Sequence, residues 1–309
     1  MVPTILVVSG VTAGGKSTLA EQWCAADPRL EMISADSLTV YRQFDIGSAK
    51  PSKTSQKNFR YHLIDRHDPN DGFTAADFRD GALAAIEDIH ARGKRALVVG
   101  GTGFYIKALT KGLWKTPDPD PELRADLEKC GTPELFEKLQ KVDPNHATKI
   151  GPSDRYRMIR ALEIIEATGT LPSRLEEGMK DKLHDERFSV AFVDRPQDIL
   201  EKRLRERIRQ MLDDGWIEET ERLREGYPGA RGLAAIGYQQ IIDWLDKRVP
   251  RGRKLAPGRQ GLEDEIYLAH RRLAKAQRTW FRSQVPARFF TLDRDLADLE
   301  KLKHDIFRS

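Results

Sequence analysis

The sequence predicts an α/β protein: a parallel sheet flanked by helices and interrupted by an all-helical insertion. Three observations predict it. The chain opens with a strand, a glycine-rich loop and a helix in immediate succession, Thr4–Ser9 and then about Lys16–Ala26. Strand-like and helix-like segments go on alternating as far as Trp114, the pattern of parallel strands joined by helical crossovers. The rhythm then breaks at Thr116–Pro121, TPDPDP, where alternate prolines fix φ and remove backbone donors, so neither a regular helix nor a central strand can form.

Each element follows from its residues. Thr4–Ser9 is a β-branched and apolar run, read as a buried strand. Glu31–Ala35 reads as a second strand and Arg95–Gly100 as a third, closed by Gly100 and Gly101. Between them, Phe73–Arg92 carries Phe78, Ala82, Leu83, Ile86 and Ile89 at helical spacing. After the proline segment the chain reads as helices: Pro121–Lys129, Pro133–Val142, Asp154–Thr168 and a charged stretch near Arg174–Glu186. A strand returns at Phe188–Val193. Helices follow at about Gln197–Asp214, Glu218–Glu225, Tyr238–Lys247 and Leu262–Arg282, and a short strand at Phe289–Leu292. Pro250–Gln260, rich in Gly, Pro and basic residues, reads as a loop. The expected organisation is a core of residues 1–115 and 187–309, with residues 116–186 as a helical insertion.

Composition narrows the function. The 309 residues are 39% hydrophobic and 32% charged, a globular but highly charged chain. Apolar runs such as Ile5–Val8 and Ala96–Val99 fall far short of the roughly 20 residues of a membrane span. The N-terminus lacks a basic leader and runs directly into the first strand, so no signal peptide is expected. Two cysteines, Cys24 and Cys130, exclude a disulfide scaffold and a Cys-based zinc finger. Both are expected inside helices as small apolar fillers, in a reducing, cytoplasmic setting. The net charge is only +4, but the basic residues cluster: Lys247–Arg259 and His270–Arg288 contain no acid. Such patches suit a polyanionic partner, although a charge run is also the ordinary dress of a solvated face.

Gly10-Val11-Thr12-Ala13-Gly14-Gly15-Lys16-Ser17 fits G-x-x-x-x-G-K-[ST] without a gap, after a strand and at the start of a helix. Backbone N–H groups and the positive helix end make a concave anion site. Lys16 neutralises phosphate charge, and the Ser17 hydroxyl can join a Mg²⁺ shell. The fold class is therefore P-loop NTPase-like. The motif specifies a diphosphate or triphosphate, not a nucleotide. The magnesium-binding acid that usually ends a neighbouring strand in such enzymes is missing here: Ala96–Val99 runs into Gly100-Gly101-Thr102.

Asp36 closes the second strand. In a parallel sheet that position shares the carboxyl-end edge with the phosphate loop, where ligands bind. Asp36 is thus a candidate general base beside a diphosphate, or simply an N-cap Asp of the kind common before helices. Asp45–Pro51, DIGSAKP, reads by itself as a turn.

Together these segments resemble the tRNA dimethylallyltransferase family, bacterial type. The resemblance is carried by the phosphate loop, DSLTVYRQFDIGSAKP from Asp36, YHLID at Tyr61–Asp65, FTAADF at Phe73–Phe78 and GGTGFYIKAL at Gly100–Leu109. It continues through RMIRALE at Arg157–Glu163, RLRERIRQMLDDG at Arg203–Gly215, AIGYQQ at Ala235–Gln240 and RRLAKAQRTWFR at Arg271–Arg282, and so spans nearly the whole chain. The resemblance implies transfer of a dimethylallyl group from dimethylallyl diphosphate to N6 of adenosine 37, in tRNAs that read codons beginning with U.

Residue roles carry over by position. The resemblance implies Asp36 as general base and Lys16 and Arg207 as diphosphate ligands. It implies Thr102 near the target nucleotide and Gly10, Thr12, Ala13, Gly14, Gly15, Ser17 and Thr18 around the diphosphate, with Mg²⁺ as cofactor at Ser17. Contacts to the anticodon stem-loop are implied for Asp36, Ser37, Leu38, Thr39, Thr102, Arg124, Tyr156, Arg157, Arg160, Ile236, Gly237, Tyr238 and Gln239. By residue type alone, Arg207 reads first as a member of an i,i+4 pair on the wet face of an Arg/Glu-rich helix. Trp280 and Phe281 are expected to be core on at least one face rather than base-stacking groups. A monomer acting on tRNA, away from membranes, is expected. Departures from the family pattern are Val11 and Gly14 for Pro and Ser, Thr39 for Gln, and Ser48 for Thr. Two other activities fit the loop: an adenylate isopentenyltransferase using the free nucleotide, and a small-molecule P-loop kinase, for which no second magnesium-binding acid is evident.

Overall fold

The computed structural model describes residues 4–114, 116–118, 120–180, 184–248 and 258–308. The chain divides into two compact units, Met1–Thr110 with His184–Ser309, and Lys111–Leu183, a few residues ahead of the bounds expected from sequence. The loop expected at Pro250–Gln260 lies largely outside the described residues.

The first unit is built on a six-stranded parallel sheet: β1 (Ile5–Gly10), β2 (Leu30–Ser34), β3 (Tyr61–His62), β4 (Arg95–Val99), β5 (Phe188–Asp194) and β6 (Ala287–Thr291), in the order β3-β2-β4-β1-β5-β6. β1 is central and buried along its whole length, as a continuous apolar run in a sheet covered on both faces must be. Register puts Val8 opposite Val99 and Ser34 opposite Val99, with Gly10 opposite Val193. The carboxyl ends of β1, β2, β4 and β5 therefore share one edge, and the loops leaving them converge there. At this edge only glycine fits at position 100, because a Cβ would lie 2.1 Å from the Ala35 carbonyl oxygen.

One face of the sheet packs Leu6, Val8, Leu97, Ala191 and Val193 against α1 (Lys16–Ala26) and α14 (Leu296–Arg308), through Leu19, Trp23, Leu299, Leu302 and Phe307. The helices expected from sequence appear with ends moved by a few residues. They are α3 (Ala75–Ala91), α10 (Gln197–Asp213), α11 (Trp216–Gly226), α12 (Tyr238–Leu245) and α13 (Gly258–Gln284). α3 starts at a capping box between Thr74 and Asp77.

Several elements were not expected. α2 (Lys53–Asn58) buries no residue, so no periodicity announces it. β3 is two residues long. α4 (Gly103–Lys111) hides behind a Gly-rich start. α14 did carry a signal, with Leu296, Leu299, Leu302 and Ile306 spaced by three and four.

The second unit holds α5 (Pro121–Lys129), α6 (Thr132–Val142), α7 (Pro144–Ile150), α8 (Arg155–Thr168) and α9 (Pro172–Lys180). Proline stands in the first turn of α5, α6 and α7, where its missing N–H costs nothing. Leu135, Leu139, Ala147, Met158, Ile159 and Ala161 form its core. Asp143 is buried and accepts N–H groups from His146 and Ser173, tying α7 to α9. Cys24 is a buried filler in α1, but Cys130 ends α5, half-buried, with the Lys138 ammonium 3.3 Å from its sulfur. The expectation for Cys130 is corrected: Gly131 follows it and the helix stops there.

Candidate active site

The phosphate loop leaves β1 at Gly10 and enters α1 at Lys16. Gly15, with φ +99°, makes the left-handed turn into the helix, and no side chain caps that end. The first-turn N–H groups are left for a ligand, at the positive end of the helix dipole. The Lys16 ammonium folds back on the loop, donating to the carbonyls of Gly10 (3.0 Å) and Val11 (2.8 Å). Gly14 is buried, and a Cβ there would sit 2.9 Å from the Val11 carbonyl oxygen. Two guanidinium groups brace the loop from outside: Arg203 donates to the Ala13 carbonyl (3.0 Å) and Arg195 to that of Gly14 (3.1 Å).

Arg207 projects from α10 into the same place. It has no hydrogen-bond or ion-pair partner among the described residues. Burial above all, and then the Arg207 charge, bring the Lys16 ammonium down to about 8 against the opposing pull of Asp36. Burial likewise lowers Arg207, with Arg203 adding to the effect and Asp36 opposing it. Two enclosed cations thus face one carboxylate, a deficit of negative charge that an anion would fill.

Two adjoining cavities, of about 530 and 890 Å³, meet at this point. Both are lined by Lys16, Ser17, Ala49, Pro51 and Arg207. The larger adds Ala13, Gly14, Gly15, Thr18, Lys50, Lys53 and Arg203, together with the acids Asp45, Glu206 and Asp214. The smaller adds Thr12, Asp36, Thr102 and Gln277, then an apolar end with Phe104, Leu273 and Trp280. It therefore combines a phosphate end, a carboxylate and an apolar wall.

Asp36 uses Oδ1 to accept the N–H groups of Leu38 (2.9 Å) and Thr39 (3.3 Å). Residues 37–40 form a turn and not a helix, so the helix N-cap expected as one alternative is corrected to the cap of a turn. It leaves Oδ2 without a partner among the described residues, so capping and a second role are compatible. Thr102 accepts the Ser37 N–H at its hydroxyl (3.1 Å) and holds this turn to the start of α4.

The structure separates the remaining expected residues. Ser17 and Thr18 are exposed on the first turn of α1. Ser37 is exposed and Leu38 half-buried, whereas Thr39 is buried, its hydroxyl 2.9 Å from that of Ser34. Ile236 lines the smaller cavity. The Gly237 N–H is taken by the Gln240 side chain, and Gln239 pairs with Asp243. Tyr238 has no exposed surface; its hydroxyl donates to Glu219 (2.6 Å), and its ring meets Phe44 and Trp216 edge-on. The expected surface roles of the Thr39 and Tyr238 side chains are thus corrected, because both are packed inward. Phe281 is core, while Trp280 lines the cavity with Gly103 against its ring.

Arg124, Tyr156, Arg157 and Arg160 belong to the helical unit. Arg124 makes a bidentate pair with buried Glu163 (2.7 and 2.9 Å) and lies over the Tyr156 ring. Arg160 also reaches Glu163 and donates to Thr116 and the Pro117 carbonyl. Arg157 is exposed and pairs with Asp154, and Tyr156 is 57% exposed.

Four residues at or around the site carried no expectation. Arg203 is one helical turn before Arg207, a spacing that could have found it. Arg195 directly follows β5. Gln277 joins the phosphate loop to Gly101. Glu219 is buried and accepts the N–H groups of Asp45, Ile46 and Gly47, fixing the DIG turn beside both cavities.

Known proteins share this architecture. A family model described as IPP transferase matches residues 39–284. The tRNA dimethylallyltransferase 1 of Citrifermentans bemidjiense is 42% identical over 285 residues, covering 90% of this chain and 88% of its own. That of Sorangium cellulosum is 38% identical, covering 92% and 89%. Among solved structures, the full-length tRNA isopentenylpyrophosphate transferase from Bacillus halodurans superposes with a TM-score of 0.68 at 31% identity, over 99% of this chain and 97% of that one. A eukaryotic dimethylallyltransferase acting on tRNA gives a TM-score of 0.74 at 25% identity, over 98% and 78%. With the family model matching most of its length and relatives near 40% identity end to end, the chain belongs to the IPP transferase family.

Proposed function

We propose that this chain transfers a dimethylallyl group from dimethylallyl diphosphate to N6 of adenosine 37, in tRNAs that read codons beginning with U, and releases pyrophosphate. The observation that supports it is the placement of Lys16 and Arg207, two enclosed cations, in one cavity with a free carboxylate oxygen of Asp36 and an apolar wall. A diphosphate matches the cations, a five-carbon chain the wall, and a proton-losing nucleophile the carboxylate.

The reaction forms the bond from N6 to C1 of the allyl group and breaks the C1–O bond, whose electron pair leaves with the diphosphate. Lys16, Arg207 and the first-turn N–H groups of α1 stabilise the charge that develops on the leaving oxygens. Asp36 Oδ2 accepts the N6 proton as the new bond forms. Gly10, Thr12, Ala13, Gly14, Gly15, Ser17 and Thr18 shape the diphosphate cradle, and Thr102 holds the Asp36 turn.

Mg²⁺ fits this site in one form. Among the described residues, no three His, Cys, Asp or Glu side chains group to hold a metal. Magnesium binds readily through one or two protein oxygens plus substrate phosphates. The Ser17 hydroxyl, exposed at the cavity, is the protein ligand in this reading, and the ion would neutralise diphosphate charge when bound.

Adenosine 37 must leave the anticodon-loop stack to reach the cavity, at a cost of roughly a few kcal/mol. We assign the offsetting contacts to the helical unit through Arg124, Tyr156, Arg157 and Arg160, and to Ser37, Leu38 and Ile236 beside the cavity. Among the described residues no helix is long and apolar enough to cross a membrane. We take the protein to act as a cytoplasmic monomer.

The test is transfer of label from dimethylallyl diphosphate, with Mg²⁺, to unmodified tRNA carrying A36–A37, beside tubes holding AMP with the same donor or tRNA with ATP. Label at A37 is expected. Label in AMP alone would favour free-nucleotide transfer, and ATP consumption without allyl transfer would favour a kinase.

A further inference from the structure

Gln277 stands in the C-terminal third of α13, inside the RRLAKAQRTWFR segment, where the resemblance assigns it no role. In the fold its amide is used at both ends with fixed polarity. Oε1 accepts the N–H of Thr12 in the phosphate loop (2.9 Å), and Nε2 donates to the carbonyl of Gly101 (3.0 Å). These partners lie 265 and 176 residues away; the side chain ties together the loops that leave the neighbouring strands β1 and β4, beyond the ladder of those strands and the Ser9 hydroxyl on the Gly100 carbonyl. A Cβ at Gly101 would sit 2.9 Å from the Gln277 amide nitrogen and 3.6 Å from the Lys16 ammonium, so a side chain there would push the amide aside. The amide therefore lies beside the phosphate-binding cation and lines the smaller cavity.

The two loops carry different halves of the reaction. The phosphate loop holds the leaving group. Gly101 directly precedes Thr102, whose hydroxyl holds the Ser37 N–H next to Asp36. We infer that Gln277 is a positioning residue that sets the distance between the diphosphate site and the Asp36 turn, so that C1 of the donor meets N6 of the acceptor. Because Thr12 N–H is committed to Gln277, it serves the geometry of the loop rather than the diphosphate. Displacing reacting groups by about 1 Å can cost roughly a hundredfold in rate, and these two hydrogen bonds oppose that displacement.

This inference rests on the prenyl-transfer reading above. Its test uses full-length Gln277→Met, which keeps length and volume but loses both hydrogen bonds, and Gln277→Glu, which keeps only an acceptor for Thr12. Label transfer to tRNA is measured at saturating donor and acceptor, with thermal unfolding in parallel. For Q277M the expected result is a kcat lower by about 10- to 100-fold, with donor KM within about threefold of wild type and an unchanged unfolding midpoint. Q277E should fall in between. Three results overturn the inference: kcat within twofold of wild type in Q277M, a loss confined to donor KM, or a loss of rate that tracks a lost unfolding midpoint. Failure of wild type to transfer label at all sinks the reading of the reaction instead, and so is told apart.

Discussion

At the scale of single residues, Lys16 and Arg207 are held in an unfavourable state until an anion arrives. Burial lowers both, and a neighbouring guanidinium adds to it: Arg207 at Lys16 and Arg203 at Arg207. For Lys16 this places its charge loss near pH 8 in the free enzyme. Below that pH the ammonium is charged and attracts the diphosphate; above it the attraction fades. Donor kcat/KM, which reports the free enzyme, should therefore decline as pH rises through about 8. In Lys16→Arg, whose charge persists to far higher pH, that limb should vanish even if the rate is lower; an unchanged limb would assign it to another group. Arg207→Ala should raise donor KM or slow the departure of pyrophosphate, with a loss of about 2–4 kcal/mol of transition-state stabilisation. Unaltered kinetics would return Arg207 to the role of an ordinary helix-surface charge.

At the scale of elements, the sheet is also an electrostatic structure. Glu31, buried in β2, is surrounded by Arg92, Lys94, His62 and Arg60. The hydrogen bonds from Arg92, above all, hold its carboxyl well below the usual carboxylate range. The native state thus binds a proton at Glu31 more weakly than the unfolded chain does. The resulting stability is present above the unfolded value near pH 4 and is lost as pH falls below it. Glu31→Gln should cost about 3 kcal/mol at neutral pH and flatten the acid limb of a denaturation series below about pH 4. A variant as acid-sensitive as wild type would locate that limb elsewhere. The elements also show what a sequence conveys. Apolar periodicity announced β1, β4, α3 and α10. It could not announce α2, which buries nothing, or β3, which exists because Met32 and Ile33 offer a ladder to Tyr61 and His62.

At the scale of the whole molecule, the division into a sheet unit and a helical unit separates two kinds of chemistry. If the helical unit recognises RNA, Tyr156→Ala should raise the KM for tRNA by about 5- to 30-fold, the worth of a stacked base, and leave donor KM unmoved. The tRNA affinity should also fall linearly in log–log form with salt. Equal effects on both substrates would place Tyr156 in folding rather than recognition. Lys16 and Asp36 were legible from the phosphate-loop motif and a strand end, whereas Arg207 was legible only through the family resemblance, since an Arg in an Arg/Glu-rich helix reads first as a wet-face charge. Gln277, Arg195 and Glu219 were not legible, because their partners lie in distant parts of the chain and only the fold brings them together. Tyr238 misled for the same reason: an aromatic beside a glycine turn suits a surface or a core, and Glu219 and Trp216 decide for the core.

The account assigns anion binding to the cations and proton removal to Asp36, and Asp36→Asn tests that division most directly. Its isosteric amide keeps the Oδ1 acceptor for Leu38 and Thr39 but cannot take up the N6 proton at the free position. Binding of dimethylallyl diphosphate should stay within a few-fold of wild type, while single-turnover transfer to tRNA falls by about 10²–10⁴-fold. Transfer at the wild-type rate, or donor binding lost in step with transfer, would contradict it.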